Sequence, residues 1–365
     1  MIEPLNRPTR LLRCVAGFAR WSLGCLLALW LLLTVAWGAL HGWIVPRIGE
    51  FRPQLEAQAA RALGIPVRIG SIMARSEGLI PSIELSNVAL LDPQGRAALQ
   101  LPRVVVALSP CSLLHWGFEQ LYIERPDLDV RREPDGRLVV AGLRLPEATG
   151  ENNAAADWLF SQGEVIIQGG TLRWTDELRG APELALENVD VLLRNGSWQH
   201  NLRIAATPPP AWGERFTLTG RFRAPLLRAR DGNWQHWSGQ LFADFSRVDV
   251  SRLRHYADLG FEVAQGRGAV RAWADMQRGQ IVGGTADLAL TEVNATLGPQ
   301  LQALALPSIQ GRLGGRRLEG GFEFQTQGLQ FVTDDGLVWP GGNLRLQYTE
   351  ATGKAPAQGE LRADR

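Results

Sequence analysis

Residues 83–91 read IELSNVALL, residues 184–192 read LALENVDVL and residues 288–296 read LALTEVNAT. Each phrase opens with the two-residue alternation of a half-buried strand: Ile83 and Leu85, Leu184 and Leu186, Leu288 and Leu290. Each then slips by one residue at the same place and resumes at Val88 and Leu90, Val189 and Val191, Val293 and Ala295. An extra residue there predicts a β-bulge, or a tight bend between two short strands. Recurrence of the phrase points to units repeated along a sheet.

The rest of the chain agrees with a mainly β fold. The 365 residues include 40 Gly and 13 Trp, a composition that suits strands and turns better than a helical bundle. From residue 67 onward, strand patterns follow one another as far as 343–348. DPQGR at 92–96, EPDGR at 133–137 and TDDG at 333–336 are turn-forming clusters among them. Short helices are expected at 154–162 and 251–258, and exposed loops at 144–153 and 206–214. No regular helical crossover is evident, which argues against βαβ units and a dinucleotide fold. The strands pair an apolar with a polar side. Leu128 and Val130 alternate with Asp127, Asp129 and Arg131. Two such sheets face to face make a sandwich. One long curved antiparallel sheet leaves an apolar groove. The alternation fits both.

Residues 21–45, WSLGCLLALWLLLTVAWGALHGWIV, contain no Asp, Glu, Lys or Arg. At about 1.5 Å per residue this run is long enough for a hydrocarbon core of about 30 Å. It is longer than the apolar core of a signal peptide, so an uncleaved transmembrane helix is expected. Arg7, Arg10, Arg13 and Arg20 precede it, placing residues 1–20 in the cytoplasm and the bulk on the far side of the membrane. Residues 47–64 read as a membrane-proximal helix with Ile48, Leu55, Ala59 and Leu63 on one stripe. Residues 67–143 read as a first β segment, 144–162 as a loop and short helix, 163–350 as its repetitive continuation, and 351–365 as the tail of a truncated chain.

Chemistry-bearing motifs are sparse. Lys plus Arg is 38 and Asp plus Glu is 37, a net +1 that gives no argument for nucleic acid. Cys14, Cys25 and Cys111 make no disulfide framework or metal spacing. His41, His115, His200, His236 and His255 form no zinc-like pattern. AQGRGA at 264–269 and GRLGGRRLEGG at 311–321 lack the end of a phosphate loop. Their glycines suit turns or close backbone approach. Asp127 with Asp129, and Asp334 with Asp335, lie on a strand face and in a turn, where solvent exposure is the default. Arg75 and the RLRH at 252–255 read as solvated faces, with contact to lipid headgroups the competing reading. No catalytic residue, metal site or cofactor is expected. Nine apolar residues on alternating strand positions are candidates for lining the groove: Ile83, Leu85, Val104, Val106, Ile123, Leu128, Val130, Leu186 and Val191.

Residues 63–143 carry a resemblance. GIPVRIG at 64–70 is followed by GLIPSIELSNVALLD at 78–92 and LPRV at 101–104. SLL at 112–114 and IERPDLDVRREPDGRL at 123–138 come next. In this order they resemble the YhdP branch of the AsmA-like proteins of Gram-negative bacteria, and the likeness extends more loosely over residues 20–350. The resemblance implies an inner-membrane anchor and a long periplasmic β groove similar to chorein-type bridge proteins. It also implies phospholipid as the bound partner, and a role in phospholipid transport between the membranes and in outer-membrane integrity. Further protein partners in either membrane are expected. A non-catalytic β-sandwich scaffold or outer-membrane assembly factor is the alternative.

Overall fold

The computed structural model describes residues 10–39, 42–43, 45–75, 82–92, 94–107, 109, 117–144, 154–225, 234–256, 262–296, 298, 300–351 and 356–364. His41, Cys111, His115 and the expected loop over 145–153 lie outside them.

Helix α1 spans Arg10–Ala39. Its segment Gly17–Ala39 has a mean hydropathy of 1.9 and none of it is buried. It therefore begins before the expected residue 21 and ends before residue 45. A 3-10 turn, Val45–Phe51, leads to α2, Arg52–Leu63, which ends on Gly64 in the left-handed conformation with Pro66 just beyond.

Strands β1 (Val67–Arg75), β2 (Ser82–Leu91), β3 (Ala97–Ala107) and β4 (Gln120–Glu124) follow as an antiparallel meander. After β5 (Asp127–Arg132), β6 (Leu138–Val140) and β7 (Leu143–Arg144), helix α3 (Ala154–Ser161) leads into β8 (Glu164–Asp176). Strand β8 runs parallel to both β4 and β5, which lie end to end along it. The sheet is thus mixed at this junction, with the helix expected near 154 in the connection, where the sequence pattern suggested antiparallel neighbours. Alternation fixes the faces of a strand but carries no information about which neighbour it pairs with.

Beyond β8 the order is again sequential: β9 (Ala181–Asn195), β10 (Gln199–Thr207), β11 (Phe216–Arg223), β12 (Ser238–Asp249), β13 (Glu262–Gln277), β14 (Gln280–Thr296), β15 (Leu304–Leu318) and β16 (Gly321–Val332). Strands β17 (Val338–Trp339) and β18 (Asn343–Thr349) both pair with β16, and β19 (Gln358–Asp364) pairs with β18. All are one open sheet. The expected helix at 251–258 is a 3-10 turn, Val250–His255.

The echoed phrases lie inside unbroken strands. Asn87, Asn188 and Glu292, which occupy the slip in each, have φ of 53°, 48° and 53°. One left-handed residue flips the pleat, so the apolar residues on its two sides share a face. Val88 accordingly packs in one cluster with Ile83 and Val104, and Val293 in one cluster with Leu290. Register holds across β1–β2–β3 because the neighbours slip in the same row. Ile69↔Val88 and Ser71↔Ser86 flank Gly70 and Asn87, and Leu101↔Val88 and Arg103↔Ser86 flank Pro102. A Cβ on Gly70 would stand 2.9 Å from that of Asn87. The row continues through Arg125 (φ 47°) and Gly169 (φ 64°), which face each other where β4 gives way to β5. In β14–β15, Thr291↔Ser308 and Val293↔Leu306 flank Glu292 and Pro307. Gly328 (φ 57°) marks the slip in β16. These positions form a seam that divides the sheet into a near side, toward α3, and a far side, toward the β2–β3 and β14–β15 turns.

The outer face is held by cross-strand charges. Arg103 is forked between Glu84 (2.7 Å) and Glu124 (3.0 Å), which raise its pKa. Glu323 lies between Arg345 (2.7 Å) and Arg316 (3.0 Å), and Asp244, Arg271, Asp287 and Arg312 alternate in sign over β12–β15. Opposite charges directly across a ladder stabilise one register and penalise its neighbours. Hydrogen bonds from Arg345 and Arg316 hold the Glu323 carboxyl below its usual value. Those from Arg194 and Gln120 do so for Glu164, and the bond from Arg312 does so for Asp287.

Two measurements check this account. Asn188→Gly is expected to leave the unfolding transition of the detergent-solubilised chain unchanged or raised. Asn188→Val, β-branched at positive φ, should lower stability by about 1–2 kcal/mol. Equal loss in both would reject the seam conformation. Because the three carboxyls have lowered folded pKa values, their stabilisation is present above the unfolded pKa and lost as pH falls through the folded one. The melting midpoint should therefore fall steeply only below about pH 4, under the ordinary carboxylate values of about 3.9–4.3. A midpoint flat down to about pH 2 contradicts the ladder.

Candidate functional site

The inner face is apolar along nearly the whole sheet. One row, just on the near side of the seam, runs Ile72–Leu85–Val104–Ile123–Ile167–Val191 by direct pairing and continues through Ile204 and Leu218. It then passes onto Ala243, Ala272 and Ala286. Beside it lies the row Ile83–Val106–Leu121–Val165–Leu193–Leu202. Across the seam, Leu128, Leu172 and Leu186 align, with Val130 beside Trp174.

All nine candidate residues lie on this face. Ile83, Val104 and Val106 are 2 %, 5 % and 4 % exposed. They belong to a core that takes in Ile48 and Leu55 from the segment after α1, and Trp158, Leu159 and Phe160 from α3. Leu85, Ile123, Leu128, Val130, Leu186 and Val191 are half-buried. The residues of the two helical segments that cover the first three were legible as helix. Alternation in the strands could not show where those helices dock.

Helix α3 is fastened by a buried amide. Gln162 is fully buried; its Oε1 accepts the Phe118 N–H at 2.7 Å, its Nε2 donates to the Trp158 carbonyl, and its own carbonyl accepts Asn195 Nδ2 at 2.8 Å. Phe160 packs edge-on against Trp237 (4.7 Å between centroids) and His200 (5.9 Å). His200 stacks on Trp237 at 3.9 Å, its Nδ1 2.8 Å from Asn195 Oδ1. His200 is thus part of a packed aromatic group.

Helix α2 closes the free edge of β1. The Ile69 N–H donates to Glu56 Oε1 at 2.7 Å, Arg52 donates to the Gly70 carbonyl at 3.2 Å, and the two side chains pair at 3.1 Å. Burial alone would raise the Glu56 carboxyl; the Ile69 amide and Arg52 more than offset it, leaving the pKa lowered. An edge so capped does not template another strand.

On the far side, β10 stops at Thr207 and β11 begins at Phe216. The gap is filled by Trp212, which contacts Tyr256 at 5.1 Å, and by Arg215, which reaches Asn188 O (2.8 Å) and Asp190 (2.7 Å). The Tyr256 hydroxyl donates to the Pro182 carbonyl. Asp176, 2 % exposed, takes a two-point ion pair from Arg132. Asp127 pairs with Arg173 at 2.9 Å, and Asp335 accepts from the Thr333 hydroxyl in a turn. These carboxylates all have structural partners.

The glycines of AQGRGA and GRLGGRRLEGG lie mainly within β13 and β15, in close backbone approach rather than turns. A Cβ on Gly268 would fall 2.0 Å from the Ala289 carbonyl oxygen, and one on Gly311 2.8 Å from Leu329 Cα. Among the described residues no group of three or more His, Cys, Asp or Glu is placed to hold a metal. The face offers apolar area and no convergent polar constellation.

Comparison with curated proteins and with solved structures finds no match. The family model described as YhdP protein matches residues 6–365, nearly the whole chain. With its N-terminal apolar helix and its open sheet, the chain belongs to the YhdP family.

Proposed function

We propose that the chain is a periplasmic lipid-binding groove protein, held in the inner membrane by α1 with its N-terminus in the cytoplasm. It contributes to phospholipid movement between inner and outer membrane, and so to outer-membrane integrity. The single observation that carries this reading is a continuous apolar face on one open sheet. The described strands form no second sheet to close it as a sandwich. Acyl chains bind by burial of apolar area and need no catalytic group. An uncharged strip with half-buried Leu, Ile and Val suits that ligand better than a substrate to be transformed. Family membership supports an AsmA-like role in lipid transport. The arginines that precede α1 support the orientation.

Topology is checked by fusing reporters after residue 150. A phosphatase that requires the periplasm should be active and a cytoplasmic fluorophore dark. The opposite pattern reverses the orientation.

Lipid binding is checked with Leu186→Asp. A charge on a half-buried position of the strip should cost acyl-chain binding several kcal/mol where the site is dry. Phospholipid co-purifying with the chain, counted by mass spectrometry, should fall several-fold while the melting transition is retained. Val106→Asp serves as the contrast: with Val106 4 % exposed, it should unfold the first half of the sheet. If no phospholipid accompanies the unmutated chain, the reading is wrong.

A further inference from the structure

The two halves of the inner face are covered on opposite sides of the seam. From β2 to β9 the outer row of the near side is filled by the protein itself, while Leu85, Ile123, Ile167 and Val191 next to the seam are half-buried. Val106, Leu121, Val165 and Leu193 are 4–6 % exposed in a core shared with Trp158, Leu159 and Phe160. Over β5, β8 and β9 the far side is half-exposed, with Leu128, Leu172, Leu184 and Leu186 in this state. Beyond β12 the situation is reversed. Val263, Val293, Ala295 and Leu306 on the far side are 5–8 % exposed, in one cluster with Val250 at the start of the 3-10 turn and with Leu290 just across the seam, while Leu304, at the start of β15, is 37 % exposed. On the near side Leu241, Ala274 and Leu346 are half-exposed, Phe324 is 38 % exposed and Leu361 68 %.

Between the halves β11 does not reach the far side, and the contacting rings of Trp212 and Tyr256 stand between β9, through the Tyr256–Pro182 hydrogen bond, and β12, through the Gly213–Val248 bridge. Ala206, at the seam, is fully buried. What continues is the row Val191–Ile204–Leu218–Ala243, which is half-exposed throughout.

We infer that the ligand strip is diagonal: it runs on the far side over β5, β8 and β9, crosses the seam at β9–β12, and continues on the near side over β12–β19. This rests on the lipid-binding reading and specifies its path. The lateral shift, from the Leu186 row to the Leu193–Leu241 row, is on the order of 20 Å at about 3.3 Å per residue. A straight helix or strand of a partner protein cannot follow such a shift while staying on the strip. A flexible acyl chain, or a file of them, can. At the crossing the floor changes from Ile204 and Leu218 to Ala243, Ala272 and Ala286, which leaves more room above the sheet just where the strip turns.

The test is site-specific photocrosslinking in the full chain, reconstituted in vesicles of phosphatidylethanolamine and phosphatidylglycerol. A photoreactive residue is placed singly at Leu128, Leu186, Ala274 and Leu346 on the strip, and at Leu121, Val165, Val293 and Leu306 off it. Phospholipid adducts are expected at all four strip positions and at least about ten-fold fewer at the others. Adducts on one half of the strip alone, or equal labelling on both sides of the seam in either half, overturn the diagonal while lipid binding stands. No adduct at any of the eight positions removes the lipid-binding reading as well. Since the four strip positions are half-exposed, substitution there need not disturb packing, and the ratio of their labelling to that of the off-strip positions decides the path.

Discussion

A line of left-handed residues across the sheet, Asn87, Arg125, Gly169, Asn188, Glu292 and Gly328, is the constraint on which the architecture depends. A strand with strict alternation has one apolar face over its whole length only if its apolar residues keep one parity. Here they do not: Leu85 and Val88, Leu186 and Val189, Leu290 and Val293 differ in parity. Without positive φ at Asn87, Asn188 and Glu292, half of each strand would turn its apolar side chains outward. Left-handed backbone costs an ordinary residue about 1–2 kcal/mol. Asparagine, which tolerates it best after glycine, fills two of the three positions, and Gly169 and Gly328 fill others. The neighbours are chosen by the same constraint. Gly70 leaves room for Asn87, and Pro102 and Pro307 sit in the row where regular ladder bonding is already interrupted.

The interval from Asn87 to Pro102 equals that from Glu292 to Pro307, and the pairing around them is equivalent: Leu85↔Val104 corresponds to Leu290↔Ile309. The hairpin, rather than the short phrase, is therefore the repeated unit. The repeat preserves the seam and not the chemistry of its residues, since Asn87 is answered by Glu292. That is expected where the requirement is conformational.

How much of this was legible follows from what each signal encodes. The slip in the three phrases marked the seam, because a change of parity is visible in a strand's own residues. The strands after residue 67 and the short helix near 154 were legible for the same reason. The parallel junction of β8 with β4 and β5 was not, because pairing partners leave no mark on alternation. GRLGGRRL reads as turns or as close backbone approach, and Gly311 takes the second: it is mid-strand, where a Cβ would fall 2.8 Å from Leu329 Cα. Among the nine candidate residues, the face was legible and the cover was not. Nothing in the pattern around Val106 distinguishes it from Leu186, since the difference lies in Trp158 and Phe160, far along the chain.

An open sheet with one apolar face has to hide that face or leave it in water, and this chain hides only part of it. Burying a Leu or Phe side chain is worth about 1.5–3 kcal/mol, so each half-exposed residue leaves stabilisation unrealised. The covering segments show that the chain has the means to bury more. A few residues of α3 fill the near side of the first half, and one 3-10 turn helps to fill the far side of the second. Each is fixed by specific contacts, Gln162 for α3 and the Tyr256–Pro182 hydrogen bond for the turn. Covers so placed leave one connected strip bare rather than scattered patches. A contiguous apolar strip of this kind is what a monomeric protein avoids unless something binds there. The same physics that makes the strip costly to the free protein makes it available to an apolar ligand, and the seam keeps its two halves on one face.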